Sequence, residues 1–140
     1  MKQLLRMIGV AGLAIACLTS AAPAWAQAPA PAGQTASQFY MAYRKAFDAA
    51  KKIEDVLSYM STPVRQQIEG TPAADRPKMF EMIKMMGALT DVKIVKETPT
   101  PNGATLTVEA LDPGKAKTTG TIEIVKEKGA WKLGKEDWKS

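Results

Sequence analysis

Four methionines, Met79, Met82, Met85 and Met86, have the strongest claim to chemistry, crowded into one short segment. Thioether sulfurs are soft ligands that select Cu(I). At helical spacing Met79, Met82 and Met86 share a side with Ile83 and Leu89, and Met85 sits at its edge. The same arrangement describes a core-facing stripe, since methionine fills irregular gaps, or the wall of a flexible apolar groove. Core packing is the expectation, with the groove and copper as alternatives. The chain has no histidine, which removes the commonest general base and metal ligand. Its one cysteine, Cys17, lies in the N-terminal segment, so the remainder has no thiol nucleophile and no thiolate metal site. None of Ser37, Ser58, Ser61 and Ser140 stands in a G-x-S-x-G turn. Gly129 to Lys135 matches the first seven positions of a phosphate-binding loop, but Glu136 replaces the hydroxyl residue at the eighth and would repel phosphate.

The elements that position these residues begin after an export segment. Lys2 and Arg6 precede an apolar stretch from Met7 to Leu18, and a small-residue region ends at Ala24-Trp25-Ala26. This is the order of a cleavable signal peptide over residues 1–26, with the working protein periplasmic or secreted and starting near Gln27. The apolar stretch is shorter than the roughly 20 residues a membrane-spanning helix needs, and no later stretch approaches that length. Ala14-Ile15-Ala16-Cys17 offers an alternative, a lipid anchor through Cys17.

Without residues 1–26 the chain keeps 114 of its 140 residues, enough for one domain, and loses Lys2 and Arg6 but no acid, so its net charge falls from +5 to +3. Lysines alternate with acids and never form a run of five, which argues against a nucleic-acid groove. Residues 27–34, with QAPAPAG, read as a Pro/Ala linker, and residues 35–140 as the domain.

Thr35-x-x-Gln38 fits a capping box, and Phe39, Tyr43, Ala46, Ala50, Ile53, Leu57 and Met60 recur at spacings of three and four. The expectation is one long helix from Thr35 to about Met60. Two short helices follow, one opened by Thr62-Pro63 and closed at Gly70, the other from about Pro77 to Met86. After Thr90 the period becomes alternating. Four strands are expected, Val92 to Glu97, Ala104 to Leu111, Thr119 to Glu127 and Ala130 to about Glu136. Leu106, Val108, Ala110, Ile122, Ile124, Trp131 and Leu133 fall on one face, so the pattern is an α+β fold with helices on one side of an antiparallel sheet.

Ala46-Phe47-Asp48-Ala49-Ala50, the break Tyr59-Met60-Ser61-Thr62-Pro63-Val64-Arg65 and the ending from Gly120 to Leu133 resemble small exported members of the cystatin-like, nuclear transport factor 2-like superfamily. The resemblance implies a curved sheet wrapped round the long helix as a cone with a cavity, and a homodimer through the open sheet face. It also brings in ketosteroid-isomerase-like relatives, which use an acid and tyrosines inside the cone. The matching candidates are Glu109 and Glu123 with Tyr40, Tyr43 or Tyr59, but both acids alternate against inward apolar residues and are expected on the wet face.

The expected function is therefore a non-catalytic binding or scaffold module, without cofactor or resident metal, that holds a small apolar ligand or an envelope protein. Phe39, Tyr43, Phe47, Met82, Met86 and Trp131 are the expected cavity-lining set. Met-mediated copper handling and a ketosteroid-isomerase-like enzyme are the alternatives. A fold of this kind does not by itself give a function.

Overall fold

The computed structural model describes residues 33–139. Residues 1–32, which hold the expected signal peptide, Cys17 and most of the linker, lie outside the described residues. The first helix, α1 (Ala36–Ala49), opens on the expected capping box: Thr35 Oγ1 accepts from Gln38 N at 3.1 Å, and Gln38 Oε1 accepts from Thr35 N at 3.0 Å. It buries Ala36, Phe39, Tyr40, Tyr43 and Phe47.

The helix does not run on to Met60. Ala50 is extended (φ −65°, ψ 139°), and the apolar pattern beyond it is carried by two 3-10 turns, Ile53–Asp55 and Leu57–Tyr59. Side chains supply the reason. The Asp55 carboxylate accepts from Lys51 N at 3.0 Å and Lys52 N at 3.2 Å, offering those amides a partner outside a helix. Lys84 Nζ donates to Asp48 O and Ala50 O at 3.1 and 3.0 Å, satisfying carbonyls at the helix end. Ile53, Val56 and Met60 are still buried, so spacing that suits a helix also suits this tighter path.

The two short helices are α2 (Thr62–Glu69) and α3 (Arg76–Met86). Glu127 pins the start of α2 by accepting from both Thr62 N and Thr62 Oγ1 at 2.8 Å. In α3 the buried residue is Phe80, whose ring meets Phe47 edge-on with centroids 6.0 Å apart. Met79 and Ile83 flank it, half-buried, and Gly87 closes against the Phe47 ring. The expected methionine stripe is corrected accordingly: Met82, Met85 and Met86 are 51, 70 and 68% exposed. Phe80 sets the rotation of the helix because it is the largest apolar side chain available to the core.

The sheet is a four-stranded antiparallel meander in the order β1 (Thr90–Thr100), β2 (Gly103–Leu111), β3 (Lys117–Glu127), β4 (Ala130–Lys139). Three helices on one antiparallel sheet make the α+β class. Lys128 and Gly129, both at positive φ (51° and 80°), form the turn between β3 and β4. Ala104, Leu106, Val108, Ile122, Ile124 and Leu133 face the helices and are buried. Glu109, Thr119, Thr121 and Glu123 are exposed on the opposite face.

β4 runs three residues past its expected end. Trp138 pairs with Gly120 and packs on the core, half-buried. Gly120 is needed there, since a Cβ would lie 2.7 Å from the Trp138 ring.

Candidate functional site

The site is created by one irregularity in β4. Ile124 pairs with Leu133, but Glu123 pairs with Lys135, so Gly134 is an extra residue opposite no partner. A bulge re-aims the side chains that follow it. Strict alternation from Leu133 would put Glu136 on the wet face; the bulge instead sets it opposite buried Ile122, facing the helices.

There Glu136 meets two tyrosines one helical turn apart on α1. Tyr40 Oη donates to Glu136 Oε1 at 2.7 Å, and Tyr43 Oη stands 3.5 Å from Oε2, a long contact. Tyr40 and Tyr43 are both buried, with ring centroids 6.0 Å apart. Burial raises the Glu136 pKa above the usual carboxylate value, against the pull of Tyr40, Arg44 and Tyr43. Burial, reinforced by the Glu136 charge, also pushes both phenols far above their ordinary value, so they remain protonated donors at physiological pH. Arg44, buried on the same helix, donates from Nη2 to Gly87 O at 2.9 Å and lies 3.5 Å from Asp48.

Tyr43 and Glu136 of this cluster also line a cavity of about 360 Å³ between α2, α3 and β4. Met60, Val64, Ile68, Met79, Ile83 and Leu133 give it apolar walls, while Tyr43, Glu136, Gln67, Thr71 and Lys135 bring polar residues to it and Gly134 completes the lining. The volume is at the lower end of the roughly 300–1,000 Å³ usual for small-molecule pockets. Mostly apolar walls with a few convergent polar groups are what such pockets consist of.

Of the residues expected to line a cavity, Tyr43 does so. Phe39 and Phe47 are buried in the core, in an aromatic series with Tyr43, Tyr59 and Phe80. Trp131 is half-buried at the rim of the β3–β4 hairpin, where Nε1 donates to Gln34 O at 2.7 Å and Lys126 Nζ lies 4.4 Å from the ring centroid. Met82 and Met86 are exposed and do not line the cavity. Glu109 and Glu123 sit on the exposed sheet face, so the acid beside the tyrosines is Glu136, which sequence reasoning passed over.

Among the described residues no group of three or more Asp, Glu, His or Cys side chains is arranged to hold a metal ion, and no helix is long and apolar enough to cross a membrane. No family model, curated protein or solved structure matches the chain.

Proposed function

We propose that the chain is an exported, non-catalytic ligand-binding domain that holds a small, largely apolar molecule in the cavity between α2, α3 and β4. The observation that carries this reading is the division within that cavity. Six apolar residues wall it, and the Glu136 carboxylate with the Tyr43 phenol supplies a polar end. Export rests on the basic, apolar and Ala24-Trp25-Ala26 segments of residues 1–26. The nuclear transport factor 2-like, cone-shaped reading of the domain rests on the order of helices followed by a four-stranded meander. An occupied cavity stabilises the folded state by mass action, so saturating 2-phenylethanol should raise Tm. Ile83→Trp, which fills the cavity, should remove that rise while leaving a cooperative unfolding transition. An unchanged wild-type Tm, or an equal rise in the filled variant, would refute the proposal.

A second reading, a ketosteroid-isomerase-like enzyme, is favoured by the pairing of Glu136 with Tyr40 and Tyr43 at the edge of an apolar cavity. Glu136 would move a proton at the carbon beside a carbonyl, and Tyr43 would turn from the carboxylate to that oxygen. Deuterium exchange into a cyclic ketone, lost in Glu136→Gln, would establish it. Copper handling has the exposed thioethers of Met82, Met85 and Met86 in its favour, and Cu(I) competition titration tests it.

A further inference from the structure

Glu136 is a half-buried carboxylate that no cation neutralises at close range. The ion pairs among the described residues join Arg44 to Asp48, Arg65 to Glu69, Arg76 to Glu54 and Lys135 to Asp137, and Glu136 is in none of them. Its neighbours are the phenols of Tyr40 and Tyr43. A carboxylate offers about four lone-pair sites, and these two contacts use one well and one weakly. The carboxyl group also lines the cavity.

The polarity of this arrangement is one-sided. Tyr40 donates to Glu136 and Tyr43 stands at long range from it, so Glu136 itself offers acceptor capacity and negative charge, and it is the one acidic residue among the lining residues, which also include Gln67, Thr71 and Lys135. A ligand carbonyl or carboxylate would meet lone pairs there; a ligand N–H group would meet a partner. An uncompensated charge beside apolar walls is costly until it is paired.

We infer that the cavity takes a small apolar molecule ending in a cationic amine, with the ammonium group seated on Glu136 and the apolar body against Met60, Ile68, Met79 and Ile83. This rests on the proposed reading of the cavity as a ligand site and adds the class of ligand. Burial raises the pKa of Glu136, and the pull of Tyr40, Arg44 and Tyr43 does not cancel it. Charged and titratable groups around it are Tyr40, Tyr43 and Arg44 on α1 and Lys135 on β4, which lines the cavity and stands 3.7 Å from Asp137; Gln67 and Thr71, also lining the cavity, are uncharged. Amine affinity therefore rises with pH as Glu136 ionises, then falls when the amine itself loses its proton near about pH 10.

The test is calorimetric titration of the full chain with three probes of similar size: 2-phenylethylamine, the neutral 2-phenylethanol and the anionic 3-phenylpropanoate. At pH 7.5 the amine should bind tighter than the alcohol by about tenfold or more, the worth of a charge-assisted contact. The acid should bind weakest. Glu136→Gln should erase the preference for the amine over the alcohol, with its Tm measured alongside. Glu136→Asp, which keeps the charge but withdraws it by one methylene, should reduce the preference in part and serves if Glu136→Gln does not fold. Equal affinity for amine and alcohol, or a preference that survives Glu136→Gln, overturns this inference and leaves the cavity reading standing. No binding of any probe overturns both.

Discussion

Replacing Tyr40 by Phe removes one hydroxyl and tests whether Glu136 is turned inward. Tyr40 has no exposed surface, and its 2.7 Å bond to Glu136 Oε1 is the shorter of the two phenol contacts. A hydrogen bond to an ionised group contributes about 1.5–3 kcal/mol, so Tyr40→Phe should lose about that much at pH 8. For a domain of this size that is a fall of about 6–24 °C in Tm. Tyr43→Phe gives up only a 3.5 Å contact and should cost less than about 1 kcal/mol. The sign of the pH dependence follows from the raised pKa of Glu136. The folded state holds that proton more tightly than the unfolded chain, so the protein loses stability as pH rises from the unfolded value through the folded one. Below the folded pKa the carboxyl is neutral and its bond to Tyr40 is worth only about 0.5–1.5 kcal/mol. The Tyr40→Phe penalty should therefore shrink on acidification. Urea unfolding of both variants at pH 5 and pH 8 measures it. Equal losses for the two variants, or a Tyr40→Phe loss independent of pH, would refute the inward placement of Glu136 and with it the role given to the Gly134 bulge.

Trp131→Ala and Trp138→Ala should destabilise to a similar extent, about 2 kcal/mol each, because both rings are half-buried against the core; urea unfolding showing a much smaller loss for Trp138 would place the end of β4 wrongly. Gly120→Ala drives a methyl into the Trp138 ring and should cost about 1–3 kcal/mol, with little further loss in a Trp138→Ala background. Replacing Met82, Met85 and Met86 together by Gln should change stability by less than about 1.5 kcal/mol, as expected for exposed positions; a larger loss by thermal unfolding would return these side chains to the core.

The α+β class, the meander and the inward set Leu106, Val108, Ile122, Ile124 and Leu133 are legible in the sequence because a two-residue period leaves each strand one way to face. Helix α1 is legible at its start, where Thr35 and Gln38 are only three residues apart in the chain and need no tertiary partner. Its end is not, because it depends on Asp55 and on Lys84, which reaches it from α3. The rotation of α3 was obscured for a similar reason: methionine and phenylalanine are both apolar, and only the Phe47 ring across the core selects Phe80. Glu136 is hidden by a single inserted residue. A signal for it was present, since Trp131 and Leu133 fall on odd positions and Trp138 on an even one, with Gly134 between. An apolar phase that changes parity across a strand glycine marks a bulge.

The central claim, that a small apolar molecule occupies the cavity between α2, α3 and β4, is tested most directly by methyl NMR of the protein labelled at its methionines. Met60 and Met79 line the cavity, whereas Met82, Met85 and Met86 are exposed and do not line it. Titration with 2-phenylethylamine should shift the Met60 and Met79 methyl resonances in a saturable way and leave the other three unmoved. Shifts confined to Met82, Met85 and Met86, or none at any of the five, would contradict it.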